Sequence, residues 1–182
     1  MIVAKDDSIP LVDIGAEKYR KETFTLETRY TILNHCSWGH SLPIINGDGY
    51  QLYGKQYKAK NIEYGDNSFS LDIEDAYEEG LVQNIHREFN LKEKSVILTD
   101  TFEFSGKTEH VTERFVSLTK PSFADGKVNL ETARIIFDAK KYDVTCTTET
   151  CFSHANTVEV YMIDFRGKSQ AENCFEFEIE VD

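Results

Sequence analysis

The stretch Phe175-Glu176-Phe177-Glu178-Ile179-Glu180-Val181 alternates apolar and acidic residues without a break. Because successive side chains of a β-strand point to opposite faces, this pattern predicts a strand with one face in a core and one in water. Similar patterns predict further strands along the chain. These lie at residues 9–14, 42–46, 56–64, 69–73, 83–91, 96–104, 111–118, 128–130, 133–138, 142–147 and 157–163.

Turn residues separate these predicted strands, and Asp125-Gly126 between apolar flanks is the strongest hairpin signal. Helix signals are sparse. Residues 73–80 fit one short turn closed by Gly80, and residues 17–31 fit a loop with local helix. We therefore predict an all-β fold, a single-domain antiparallel β-sandwich of two large sheets with about a dozen strands and little helix, spanning residues 1–182.

The chain of 182 residues carries a net charge of −12, which argues against nucleic acid or an anionic membrane surface as partner. No run approaches the roughly 20 apolar residues that cross a bilayer. The N-terminus lacks the basic and apolar regions of a signal peptide, and its first residues predict a strand entering a turn. The compartment is unknown from sequence, with the cytoplasm as the default expectation.

The four cysteines are Cys36, Cys146, Cys151 and Cys174, and no two of them form a Cys-x-x-Cys pair. This spacing indicates neither a zinc knuckle nor a thioredoxin-type site. Cys146 and Cys151 are spaced so that they could meet across a hairpin, which the sequence leaves open. Reduced thiols are the default expectation.

Asp13 and His40 are the candidate metal ligands. Each stands at the edge of an apolar run, where the backbone can fix a side chain, and together they offer an oxygen and a nitrogen donor suited to zinc. On spacing alone the commoner outcome is different, with Asp13 capping a turn and His40 packed in the core. The sequence contains no self-sufficient metal motif, and no Gly-x-Ser-x-Gly context that would expose a nucleophile.

Trp38, Tyr50, Tyr53 and Tyr57 are the candidate carbohydrate-binding residues, because aromatic rings can stack on sugar rings. Cross-strand aromatic pairs within a sheet explain the tyrosines equally well. Trp38, the single tryptophan, also fits a core or rim anchor.

Arg87 and Arg114 lie on alternating strands, next to His86 and Glu113 respectively. Each could hold a carboxylate with two parallel hydrogen bonds. On an acidic surface the ordinary outcome is a salt bridge with a neighbouring acid, so we expect these arginines to form surface ion pairs.

Two stretches resemble the C-terminal β domain of heparinase II/III-family polysaccharide lyases. Residues Pro10-Leu11-Val12-Asp13-Ile14-Gly15 with Tyr19 resemble the family's Pro-apolar-apolar-Asp-x-Gly-x-x-x-Tyr. Residues 37–47 resemble its His-Asn/Ser-x-apolar-x-apolar-Asn/Asp-Gly, and Gln51 with residues 57–60 continues the likeness. The motifs cover roughly the first third of the chain, and only the strand pattern persists beyond it.

The resemblance implies an enzyme in which an incomplete helical toroid precedes a β-sandwich. Such enzymes cleave uronate-containing acidic polysaccharides by β-elimination, with a Tyr and a His or Asn from the toroid and a His from the first β-domain strand. The family's β domain holds zinc through His, Asp and His. Asp13 and His40 match the second and third of these ligands.

The first ligand and the toroid are not part of this sequence, so we expect an incomplete zinc site and no lyase activity from this chain alone. The resemblance predicts a truncated domain that acts on acidic polysaccharide together with a helical domain. The alternative is a non-catalytic carbohydrate-binding or adaptor β-sandwich.

Overall fold

The computed structural model describes residues 1–47, 57–153 and 156–182. This part of the chain is mostly strand, with one four-residue α-helix (Leu26–Arg29) and four short 3-10 turns. The strands are β1 (Val3–Lys5), β2 (Ser8–Leu11), β3 (Pro43–Ile45), β4 (Lys60–Tyr64), β5 (Ser68–Asp72), β6 (Val82–Leu91), β7 (Ser95–Phe104), β8 (Val111–Ser117), β9 (Ser122–Ala124), β10 (Lys127–Asn129), β11 (Ala133–Ile136), β12 (Tyr142–Ser153), β13 (Asn156–Gly167) and β14 (Cys174–Val181).

Two main sheets form an antiparallel β-sandwich, which confirms the predicted fold class. The larger sheet has eight strands in the order β4-β5-β6-β7-β14-β11-β10-β9, and the smaller has four in the order β12-β13-β8-β3. Strands β1 and β2 form a separate hairpin. No helix among the described residues is long and apolar enough to span a bilayer.

The core lies between the two sheets and is rich in phenylalanine. Phe175, Phe177 and Ile179 of β14 are fully buried, while the glutamates that alternate with them are not. The Phe177 ring centroid lies 5.0 Å from that of Phe115 and 4.8 Å from that of Phe165, both on the smaller sheet. The apolar residues of β14 therefore face the core while its glutamates do not, as the sequence predicts.

Most predicted strands lie where the structure has them. The strand predicted at 9–14 ends at Leu11, and the one predicted at 56–64 begins at Lys60, with residue 56 outside the described residues. Two other strands are longer than predicted. β12 runs to Ser153 and β13 to Gly167, paired residue for residue with no bulge in the register. Cys146 and Cys151 thus lie on one strand, so the suggestion that they meet across a hairpin is wrong. Residues five apart on a strand point to opposite faces and are about 16 Å apart. All four cysteines are free.

The short helical segments also match expectation. A 3-10 turn covers Glu74–Ala76, and Gly80 beyond it has a φ of +75°, which glycine adopts without strain. Residues 17–31 contain a 3-10 turn at Lys21–Phe24 and the four-residue α-helix. The three-residue strand β9 was not predicted.

A second, smaller core lies on the outer face of the four-stranded sheet. The segment after β2 packs there, with Val12 and Ile14 against Val116, Cys151 and Val160. The Val12 N–H donates to the Val116 carbonyl oxygen at 2.9 Å. This packing places the region of both sequence motifs on the smaller sheet.

Replacing Phe177 with alanine should remove the centre of the main core. We expect Phe177→Ala to lower the free energy of unfolding by about 3–5 kcal/mol, because a large buried ring is lost and a cavity remains. Phe123→Ala is the matched control, since Phe123 is 51% exposed on β9. It should change stability by less than about 0.5 kcal/mol in urea unfolding. Equal losses in the two variants would contradict the assignment of the core.

Candidate functional site

Asp13 and His40 are 27 residues apart in sequence and adjacent in space. His40 Nδ1 lies 2.9 Å from Asp13 Oδ2. Because a carboxylate only accepts hydrogen bonds, His40 donates from Nδ1. Asp13 Oδ1 accepts a second hydrogen bond, from the Gly15 N–H at 2.8 Å. Both side chains remain partly exposed, 37% for Asp13 and 24% for His40, so a ligand can reach the pair.

Asn34 holds the loop that carries Asp13, and sequence reasoning did not identify it. Its Nδ2 donates to the carbonyl oxygens of Ile14, Gly15 and Phe152 at 3.1–3.2 Å. Ser153 Oγ adds a hydrogen bond to the Ile14 carbonyl oxygen at 2.7 Å. Both side chains are buried. Hydrogen bonds to loop backbone are the physical reason that the Asp13 loop has a fixed geometry.

The His40 side of the pair depends on close packing. Gly39 ends the 3-10 turn Ser37–Gly39 immediately before His40. A Cβ atom there would lie 2.3 Å from the Leu33 carbonyl oxygen and 2.8 Å from Ile14 Cδ1. Only glycine allows this approach, which brings the His40 backbone against the Asp13 loop.

The pKa of Asp13 is lowered. Burial acts in the opposite direction, but the hydrogen bonds from Gly15 and His40 and the nearby positive charges outweigh it. The carboxyl is therefore ionised at neutral pH, as a metal ligand or an acceptor of a His N–H must be.

The pair does not by itself fit a zinc ion. Zinc takes three protein ligands plus water in catalytic sites and four in structural sites. Asp13 and His40 supply two, and within residues 1–47, 57–153 and 156–182 no group of three or more His, Cys, Asp or Glu side chains is placed to hold a metal.

The predicted aromatic residues do not form one platform in the described structure. Trp38 is half-buried and lies 5.4 Å from the Arg114 guanidinium carbon, which covers its ring. Arg114 Nη1 also donates to the Trp38 carbonyl oxygen at 2.7 Å. Tyr57 lines a different depression, beside Lys60 and Tyr77. Tyr50 and Tyr53 lie outside the described residues.

Trp38 lines an open groove of about 400 Å³ on the outer face of the four-stranded sheet, which we call the Trp38 groove. Its floor includes the buried guanidinium of Arg114, held by Asp164 through hydrogen bonds of 2.7 and 2.6 Å. The groove-lining residues are Trp38, Ile44, Gly47, His110, Thr112, Arg114, Asp143, Thr145, Asp164 and Arg166.

Beneath this region, Arg87, Asp100 and Glu113 form a buried triad. Arg87 Nε donates to Asp100 Oδ1 at 2.8 Å, and Arg87 Nη2 donates to Glu113 Oε2 at 3.1 Å. The side chains are at most 7% exposed. The ion pair itself was predicted, but its placement at the surface was wrong, because position 87 falls on the core-facing side of β6. Arg114 forms its expected ion pair with Asp164, also largely buried.

The triad contacts the segment that carries His40. Arg87 Nη1 donates to the Ser41 carbonyl oxygen at 3.3 Å, and Tyr77 Oη donates to the Pro43 carbonyl oxygen at 2.8 Å. Burial raises the pKa of Glu113 well above its ordinary range, and the negative charge of Asp100 adds to this despite the opposing effect of Arg87. The triad contains two acids and one arginine. When Glu113 is protonated and neutral, the negative charge of Asp100 and the positive charge of Arg87 cancel.

No family model matches the chain, and no curated protein matches it either. The geometry around Asp13, His40 and Trp38 and the sequence resemblance are therefore the observations that bear on the function.

The raised pKa of Glu113 gives stability a specific pH dependence. The folded state keeps the proton above pH 4.5, the ordinary value at which the unfolded chain releases it. The stabilisation that comes from the bound proton is complete below pH 4.5 and is lost as pH rises towards the pKa of Glu113 in the folded protein. Glu113→Gln, which is neutral at every pH, should therefore gain stability relative to the parent chain as pH rises above that ordinary value, by at most about 1.4 kcal/mol per pH unit.

Urea unfolding at a series of pH values measures the difference, with the exposed Glu149→Gln as control. A stability difference for Glu113→Gln that does not change with pH would show that Glu113 is ionised in the folded protein.

Zinc binding tests the two-donor pair directly. The chain alone should bind added zinc weakly, and His40→Ala should abolish that binding. The matched control is His86→Ala, because His86 Nδ1 lies 2.6 Å from Asp72 Oδ1 in a second His–Asp pair. Asp72 is only 10% exposed, against 37% for Asp13, so a metal ion reaches this pair less easily. Metal analysis after dialysis against a fixed zinc concentration gives the bound fraction. If His40→Ala bound as much zinc as the parent chain, Asp13 and His40 would not be a zinc site.

Proposed function

We propose that this chain is the β-sandwich domain of a heparinase II/III-like polysaccharide lyase, acting with a helical domain on uronate-containing acidic polysaccharides. The observation that carries the proposal is the Asp13–His40 pair. The sequence motifs single out these two residues, and their side chains lie 2.9 Å apart. The all-β sandwich is the fold expected for such a domain.

In this proposal the chain supplies rigid support and part of the substrate surface. β-Elimination removes the proton on the carbon next to the uronate carboxylate. The bond to the 4-linked sugar oxygen then breaks, a carbon–carbon double bond forms, and the departing oxygen takes a proton. The helical domain provides groups for these proton transfers, and no catalytic residue is assigned to this chain. Fixed loops on rigid sheets are suited to holding such groups in position.

A second candidate is a carbohydrate-binding β-sandwich that works without a helical domain. The Trp38 groove favours it, because an aromatic side chain, hydroxyl groups and ionic groups line one open depression. Affinity electrophoresis on neutral and acidic glycans separates the candidates, since a stand-alone module should be retarded without help from another domain.

The lyase proposal predicts inactivity for the chain alone. On a panel of glycosaminoglycans and alginate, it should produce no rise in the absorbance of unsaturated uronate. The coding region before Met1 should add a helical domain ending in His-x-His, and the protein containing both parts should cleave one of these polymers.

In that protein, His40→Ala should lower the rate about 10- to 100-fold, the usual effect of disturbing a metal-site residue or its support. His86→Ala, the matched His–Asp pair elsewhere, should leave the rate unchanged. Lysis by the chain alone would overturn the prediction of inactivity. A protein with both parts that cleaves no uronate polymer would overturn the lyase assignment.

A further inference from the structure

β12 is a long edge strand whose middle part has no neighbour on one side among the residues that the structure describes. It ends the smaller sheet and pairs residue for residue with β13 on its other side. No backbone hydrogen bond joins residues 143–150 to any described residue outside β13. Six of these eight residues are exposed, so another strand can reach the edge.

The other three sheet edges are protected in the ways that edge strands commonly are. β4 carries Lys60 and has a bulge between Lys60 and Glu63. β3 and β9 have three residues each, with Pro43 opening β3 and Pro121 immediately before β9. β12 has twelve residues, a continuous register and no Lys, Arg or Pro. It is therefore the one edge in the described part of the chain that is both long and regular.

A hydrogen bond from Asn34 shows which backbone groups of β12 face the open side. Asn34 Nδ2 donates to the Phe152 carbonyl oxygen at 3.1 Å, so this carbonyl is directed away from β13. The backbone groups of successive residues point to alternate sides of a strand, and β12 contains no bulge. The N–H and C=O groups on the open side are therefore those of Val144, Cys146, Thr148 and Thr150.

The side chains beside this open edge define the chemistry of a partner. Val144 and Cys146 pack partly against the main core, so a partner strand meets apolar surface on that face. Glu149 points to the opposite face, is exposed and forms no ion pair with any described cation. Asp143, at the other end, already lies near Lys168, with 3.7 Å between a carboxylate oxygen and Nζ. The open edge is thus apolar on one face and acidic on the other.

We propose that the edge of β12 binds an extended segment of a partner protein as an added strand. The segment places a Lys or Arg beside Glu149 and apolar residues beside Val144 and Cys146, and main-chain hydrogen bonds to the open backbone groups hold it. A second copy of this chain would bring another acidic strand and a second net charge of −12, so charge favours a basic segment. The inference goes beyond the proposed lyase function and does not depend on it.

Amide hydrogen exchange of the whole chain tests the backbone pairing. Without a partner, the amides of residues 145, 147 and 149 should exchange slowly, because they bond to β13, and those of residues 144, 146, 148 and 150 should exchange fast. An acetylated nine-residue peptide that alternates lysine and valine should slow the second group. The same peptide with N-methyl groups on two adjacent central residues keeps its charge but has both edges blocked, and it should leave exchange unchanged.

Two substitutions separate hydrogen bonding from charge. Thr148→Pro removes an N–H on the open side and no bond to β13, so the chain should stay folded and bind the lysine peptide at least about fivefold more weakly. Thr148→Val keeps the N–H and is the matched control, with binding unchanged. Glu149→Lys should weaken binding of the lysine peptide about two- to fivefold and strengthen binding of a glutamate–valine peptide by a similar factor. It tests the inference even if Thr148→Pro does not fold.

Equal effects of the plain and N-methylated peptides, full binding by folded Thr148→Pro, or an unchanged charge preference in Glu149→Lys would each overturn the inference. Protection of the same amides at rising protein concentration, without peptide, would show that a second copy occupies the edge and would overturn the choice of a basic partner. None of these outcomes alters the lyase assignment.

Discussion

The buried guanidinium of Arg87 is the constraint on which the arrangement of the two sheets depends. It bridges Asp100 on the larger sheet and Glu113 on the smaller one, so it acts across the core. Apolar packing between sheets is non-directional, whereas these hydrogen bonds have fixed geometry. A relative shift of the sheets would break the hydrogen bond between Arg87 and Glu113 and leave buried polar groups without partners, at a cost of about 1–3 kcal/mol. The phenylalanine core thus provides the driving force, and the triad restricts the alignment.

This interior constraint extends to the surface where the candidate site lies. Arg87 and Tyr77 hydrogen-bond to the carbonyl oxygens of Ser41 and Pro43, which follow His40 in the chain. On the outer face of the four-stranded sheet, Arg114 donates hydrogen bonds to Asp164 and to the Trp38 carbonyl oxygen. The segment with Trp38 and His40 is therefore held from both faces of the four-stranded sheet, which makes the groove and the His–Asp pair parts of one rigid surface.

The sequence predicts most strands because period-two alternation is a direct result of strand geometry, as in β14. The family resemblance, rather than the residue spacing, pairs Asp13 with His40. The length of β12 and the burial of Arg87 are harder to predict, because both depend on partners elsewhere in the chain. A signal for the triad does exist: Ile85-x-Arg87-x-Phe89 has a polar residue at the centre of an apolar face, and so do the β7 and β8 stretches around Asp100 and Glu113. Asn34 has no such pattern around it.

The hydrogen bonds of Asn34 and Ser153 also bear on the order of folding. They join positions separated by 118 and 139 residues, Asn34 to Phe152 and Ser153 to Ile14. Contacts of such large sequence separation form only after long loops have closed, which is slow and costs chain entropy. The loop of Asp13 therefore acquires its geometry after the β12–β13 hairpin has docked. On a ribosome that synthesises the chain from its N-terminus, the first motif to emerge is among the last regions to become structured.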